Sequence, residues 1–289
     1  MAYLRITVVA LALVLSALMG TGCSDDSAPL VIPTDVPVPP VDWPDPYEVD
    51  VWRADVTFQG STVRYVGHLG RAGVDHFFRT IDEYSEPLDT LEIASVSGTP
   101  EHARRLADWV AEHQITVVVE EICFSECANY VFIAAPQRIL RNHGLVAWHG
   151  VWGDAVQLAP RYGMSIDEYV DAQIEAEQSS MDAPVGLDSG STTSEAIAER
   201  MRQLIVASIR VNDDEIRWLK QFEFDLDVVI YGKLPQHAME YREVEASGWT
   251  FSIKDMVKFG IHNVRYEGEG DYPSVVALAR MNAYLYELD

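Results

Sequence analysis

Cations are scarce in this chain: 21 Lys plus Arg stand against 45 Asp plus Glu over 289 residues, a formal charge of −24. Affinity for a phosphate backbone comes from clustered Lys and Arg, and no such cluster breaks the acidic background, which excludes a nucleic-acid binder. The same deficit excludes adhesion of the folded surface to anionic lipid. Cysteine is scarce too, with three residues, too few for a disulfide scaffold. A thiol–disulfide oxidoreductase is excluded because no Cys-x-x-Cys occurs, and a zinc site built from His143, His149, Cys123 and Cys127 has no ligand spacing to support it. No metal and no cofactor is expected. Long apolar runs are also missing. The one stretch of note, Ile6 to Met19, is too short to span a bilayer comfortably. The charged fraction of 23% and hydrophobic fraction of 48% are those of a globular chain, so the acidity reflects few cations and not disorder.

Residues 1–22 read as an export signal, with Arg5 and no acid, the apolar core, and then Gly20, Thr21 and Gly22 before Cys23. They resemble a bacterial lipoprotein signal in which Cys23 becomes the lipidated amino terminus. The alternative is an ordinary secretory signal. Removing it takes one cation from the 21, leaving 20 against 45 acids and a charge of −25. Residues 23–48 hold seven of the fourteen prolines, a composition that favours extended polyproline structure and reads as a spacer, with a proline-rich docking motif as the alternative. The folded body is expected over 49–289.

There the pattern alternates short β-branched runs with amphipathic stretches. Strands are predicted over 49–58, 62–69, 91–96, 115–119, 145–148 and 228–231. Helices are predicted over 73–84, from Pro100 onward with Thr99 as cap, and over 128–135, 166–178, 194–211, 213–224, 256–260 and 274–288. Strands separated by helices imply crossovers and a mainly parallel sheet, whose ligand site lies beyond the carboxyl ends of the strands. Three chemical groups fall at successive strand exits: Ser97-Gly98, Ser125 and His149. A glycine turn, a nucleophile and a base in that placement suit acyl transfer.

Several stretches carry a family resemblance. "IASVSG" (Ile93 to Gly98) resembles the strand and turn that supply an oxyanion-hole amide. "CFSECANYVFIAAPQRI" (Cys123 to Ile139) resembles the nucleophile turn and its helix. "LVAWHG" (Leu145 to Gly150) resembles the strand bearing the catalytic His, and "FSIKDMVKFGI" (Phe251 to Ile261) the closing helix. In this order, with His149 24 positions after Ser125, they resemble the Clp-protease and crotonase superfamily, especially exported Clp-protease-like lipoproteins related to signal peptide peptidases of the SppA type. The resemblance implies an α/β spiral of ββα units with a mainly parallel sheet and a helical C-terminal part. It implies a serine hydrolase, in particular a peptidase, with Ser125 as nucleophile, His149 as general base and the amides of Gly98 and Glu126 as the oxyanion hole.

The resemblance implies a third catalytic residue, an Asp some way before the closing helix; that region here offers Glu240, Glu243 and Glu245, of which Glu243 is the candidate, and a dyad is the alternative. Two departures stand out: Glu126 follows the Ser where the family has a small or apolar residue, and Thr99 replaces a second Gly. A carboxylate beside the nucleophile would favour cationic substrates if it points inward. Cys123 and Cys127 either form a disulfide that pins the nucleophile turn or are two small buried residues. Ser125 has the alternative reading of an ordinary helix cap, and His149 that of a satisfied buried histidine beside Trp148. The expected partners are a peptide or protein substrate, the membrane through lipid at Cys23, and further copies of the chain in a homo-oligomer. The location is the bacterial envelope, with the body in the periplasm or outside the cell. A catalytically inactive lipoprotein of the same fold, used for binding or scaffolding, is the alternative. Crotonase-type acyl-CoA chemistry is set aside because export separates the chain from coenzyme A.

Overall fold

The computed structural model describes residues 54–151, 154–181 and 214–288. The signal over 1–22, Cys23, the proline-rich segment over 23–48 and the helix predicted over 194–211 lie outside them.

Two antiparallel strands open the fold, β1 (Asp55–Gln59) and β2 (Thr62–Val66), joined by Gly60 at φ +57°. In β2 the alternation puts Val63 and Tyr65 inside and leaves Arg64 half-exposed. Helix α1 (Arg71–Asp82) returns the chain to β3 (Thr90–Ser95), and helix α2 (Pro100–Glu112) returns it to β4 (Thr116–Phe124). Val74 and Phe77 of α1, with Ala103, Leu106 and Val110 of α2, bury the apolar stripe of each helix. Both crossovers make parallel pairs.

Beyond β4 the order is a π-helix (Cys127–Phe132), β5 (Gln137–Leu140), β6 (Leu145–Ala147), α3 (Ala155–Arg161) and α4 (Ile166–Met181). Next come α5 (Asp227–Ile230), α6 (Ala238–Glu243), β7 (Gly248–Phe251), α7 (Ile253–Lys258), β8 (Val264–Tyr266), α8 (Val275–Met281) and β9 (Ala283–Tyr286). The main sheet runs β1-β2-β3-β4-β5-β8, parallel after the first pair, and β6 also pairs with β4. The chain is therefore an α/β fold with a mostly parallel sheet and a more helical C-terminal part.

Strand β4 serves two neighbours because it is irregular. Ile93 pairs with Val119, but Ser95 pairs with Cys123, so extra residues of β4 lie between the two registers. Its first half, Thr116 to Val119, pairs with β5, and its last part, Ile122 to Phe124, pairs with β6. That division brings the end of β6, and hence His149, alongside the end of β4. The outer edge of β6 is closed by side chains: the Val146 N–H donates to Tyr272 Oη at 2.9 Å and its carbonyl accepts from Thr250 Oγ1 at 2.7 Å.

Two sequence expectations are corrected. Residues 228–231, read as a strand, are helical from Asp227: the Val228 and Val229 N–H groups donate to the Asp225 and Leu226 carbonyls, each at 3.2 Å, so their bonds close locally and not to a neighbouring strand. The terminal helix stops at Asn282, which takes the left-handed conformation (φ 47°, ψ 48°), and the chain then forms β9 in parallel with β7.

Candidate active site

Ser125 stands where β4 ends. Its N–H donates to the Ala147 carbonyl at 3.1 Å, continuing the ladder with β6, and its own carbonyl accepts the Asn129 N–H at 2.8 Å, starting the helix. Between these bonds the residue has φ +56°, a left-handed conformation costly for a non-glycine residue and concentrated at functional sites. An ordinary N-cap is extended and accepts a helix amide with its side chain. Ser125 is not extended, and among the described residues its hydroxyl receives no such bond. The Cys123–Cys127 disulfide, with Cα atoms 5.0 Å apart, closes the turn around it.

Beyond β3, Leu69 and Gly98 form a parallel bridge in which the Leu69 N–H donates to Ser97 O at 2.9 Å and the Thr99 N–H donates to Leu69 O at 3.0 Å. In such a bridge the middle residue directs its own N–H away from the partner, so the Gly98 N–H turns toward the β4 side. A Cβ built on Gly98 would lie 3.2 Å from Glu126 Cβ, which sets the Gly98 and Glu126 main chains side by side. That Cβ would also lie 2.6 Å from Leu69 Cβ, so only glycine permits this approach. Thr99 does occupy the cap position of α2, yet its hydroxyl meets His102 Nδ1 at 2.8 Å and not a helix amide.

His149 lies two residues past the end of β6, its ring 5.7 Å from that of Phe124. It is exposed and makes no hydrogen bond among the described residues, to Ser125 or to any other, so it is not a satisfied buried histidine. Partial desolvation of the ring and the nearby Lys233 ammonium hold its pKa below the ordinary imidazole value, against the fields of Glu126 and Asp154. Lys233 Nζ donates to Asp154 Oδ2 at 2.6 Å, and this ion pair packs against Gly150.

Glu126 is 6% exposed, so the carboxylate beside the serine is buried in the fold, and its field reaches both His149 and His68. Glu243, by contrast, is exposed at the end of α6 and is not among the charges that act on His149. The carboxylates whose fields do reach His149 are Glu126 and, after it, Asp154. The sequence could not reveal this, because Asp154 precedes α3 in a stretch with no motif.

Three further residues escaped sequence reasoning. Asn129, 2% exposed, donates from Nδ2 to Gly150 O at 2.8 Å, so one residue ties the nucleophile turn to the histidine loop. Arg138 donates to the carbonyls of Phe132, Ile133 and His262 at 2.7, 2.6 and 2.6 Å, capping the helix that follows Ser125. Its burial lowers its pKa to about 10. Glu215, fully buried, accepts a hydrogen bond from Tyr130 Oη of the same helix. An isolated Asn, Arg or Glu in a sequence carries no mark of such long-range bonds.

No family model matches the chain, and no curated protein matches it. Among solved structures it is similar to a methylmalonyl-CoA decarboxylase, at 9% identity and a TM-score of 0.30, over 68% of this chain and 96% of that one. It is also similar to an enoyl-CoA hydratase from Mycobacterium avium subsp. paratuberculosis K-10, at 10% identity and a TM-score of 0.28, over 64% and 96%. A third is a putative enoyl-CoA hydratase from Streptomyces coelicolor A3(2), at 11% identity and a TM-score of 0.26, over 73% and 91%. Likenesses of this size say nothing about the activity of this chain.

Proposed function

We propose that this chain is an exported, membrane-anchored serine hydrolase, in particular a peptidase, with Ser125 as nucleophile and His149 as general base. The observation that carries the reading is the left-handed Ser125 at the exit of β4, flanked by the Gly98 turn on one side and the His149 loop on the other. Ser125 Oγ attacks the substrate carbonyl and gives its proton to His149, which returns it to the leaving group; water then releases the acyl group by the same route. The N–H groups of Gly98 and Glu126 meet the oxyanion, Glu126 at the first turn of a helix whose unpaired amides favour negative charge. A neutral His149 is the form that accepts a proton, and its lowered pKa keeps it neutral at pH 7. Asp154, paired with Lys233, is a positioning residue that biases the imidazolium formed during transfer.

Fluorophosphonate labelling of the mature chain tests this reading. An adduct on Ser125, lost in Ser125→Ala and slowed in His149→Ala, is the expected result. Folded protein with no adduct, or equal labelling of Ser125→Ala, supports instead a binding or scaffolding lipoprotein of the same fold. Anchoring is tested apart from catalysis: labelled palmitate is incorporated by the wild type and not by Cys23→Ala.

A further inference from the structure

A cavity of about 550 Å³ opens beside the Gly98 turn, lined by His68, Arg71, Asp75, His76, Arg79 and His102 among others. Its position follows from the sheet. His68 lies just past β2 and Thr99 just past β3, so the cavity sits at the same end of the strands as Ser125, with Leu69 and Gly98 between. Arg71, Asp75 and Arg79 recur every four residues along α1 and therefore share one face of it.

In a chain of charge −24 this lining is locally cationic. Its one carboxylate, Asp75, already accepts from Arg105 Nη1 at 2.5 Å, and Arg105 is not among the lining residues. Arg71 and Arg79, both exposed, form no hydrogen bond or ion pair among the described residues, so their charges remain for a ligand. The positive ends of α1 and α2 meet the same space. Gly70 and Thr99 hold the two cap positions, and neither supplies a capping side-chain bond. His102 is oriented by Thr99, and His68 lies within the field of Glu126 across the turn. The three imidazoles do not form a metal-binding group with neighbouring acids among the described residues.

We propose that this cavity binds a carboxylate carried by the substrate whose reacting carbonyl lies at the Gly98 amide. The proposal rests on the hydrolase reading of Ser125 and names its substrate class, an acidic peptide. Glu126 alone suggested cationic substrates. The field of Glu126 reaches His68, but Glu126 does not line the cavity, where Arg71 and Arg79 carry the charge.

The test is a titration of the mature protein followed by the ring resonances of its histidines. N-acetyl-glutamate is expected to shift the His68 and His102 signals saturably, and neutral N-acetyl-glutamine is not. Arg71→Gln with Arg79→Gln is expected to weaken the carboxylate by about tenfold or more, as is raised salt. Acidic peptides ending in a free acid or an amide separate a C-terminal from a side-chain carboxylate as the bound group. Equal shifts with the glutamine analogue, unchanged affinity in the double variant, or a response to inorganic phosphate without one to carboxylates would overturn the proposal. Fluorophosphonate labelling of the same samples separates it from the hydrolase reading. A Ser125 adduct without carboxylate binding removes only the cavity proposal, and carboxylate binding without an adduct removes the hydrolase.

Discussion

Replacing Glu215 by Gln isolates a carboxyl group that the fold keeps protonated well above its usual range. Glu215 is fully buried, and burial raises its pKa to about 7 against the opposing effects of the Tyr130 hydrogen bond and of Arg104. In the unfolded chain the same group titrates near 4.5. Between those values the folded state retains a proton that the unfolded state has lost, so stability falls as pH rises, by up to about 1.4 kcal/mol per pH unit. Over the whole interval the loss comes to about 3 kcal/mol, reached as pH passes 7. The histidines act in the opposite sense. His68, His149 and His237 are all held below 6.5, chiefly by desolvation, so each makes stability rise with pH through the range below that value. The wild type alone therefore shows a mixed curve. The difference between wild type and Glu215→Gln removes the histidine part, and Gln keeps an acceptor for Tyr130. Urea unfolding from pH 4 to 8.5 is the assay. The expected result is a difference curve that declines between about pH 4.5 and 7 and is flat outside that range. Parallel curves for the two proteins would refute the reasoning, because they would mean that Glu215 titrates alike in both states.

Asn129→Ala leaves the Gly150 carbonyl without its buried donor and is expected to cost about 1–3 kcal/mol in denaturant unfolding. It should also slow fluorophosphonate labelling; unchanged labelling in stable protein would show that Asn129 does not position the His149 loop. Breaking the Cys123–Cys127 disulfide by paired Ala substitutions should lower stability by about 2 kcal/mol for so short a loop, measured by urea midpoint, while most of the fold persists. Gly98→Ala forces a Cβ against Leu69 and is expected to cost about 1–3 kcal/mol and to abolish labelling, because the turn that offers its N–H must move. For wild type, the labelling rate should stay level from pH 8 down past 6.5 and fall only below it, the direction set by the lowered pKa of His149. A midpoint above 6.5 would contradict that environment.

The strand pattern of the sequence placed Gly98, Ser125 and His149 after successive strands, and they do follow β3, β4 and β6, because β-branched runs and glycine turns are local signals. The β4–β6 pairing that joins two of them was not legible. Only residues 115 to 119 read as a strand, and nothing local shows that β4 runs on to Phe124 and changes partner after the irregularity between Val119 and Cys123. Glu243 was a choice made by order along the chain; it is exposed on α6 and its charge does not reach His149, whereas Asp154 and Lys233, 79 positions apart, are joined by an ion pair near His149 that order along the chain does not show. Strands β5, β7, β8 and β9 escaped for the same reason. Each is three or four residues long, and such runs become strands only where a neighbour accepts their hydrogen bonds.

By itself, then, the sequence determined the acidity that excludes nucleic acid, the alternation of strands and helices, and the local turns that carry a serine, a glycine and a histidine, since each depends on composition or on residues a few positions apart. Only the tertiary structure decided that Ser125 is left-handed, that Glu126 is buried, that the fields of Glu126 and Asp154 and not that of Glu243 reach His149, and that a cationic cavity opens behind Gly98. Those outcomes depend on contacts between residues tens of positions apart, which hydrophobic burial and hydrogen bonding select together and which no local pattern encodes.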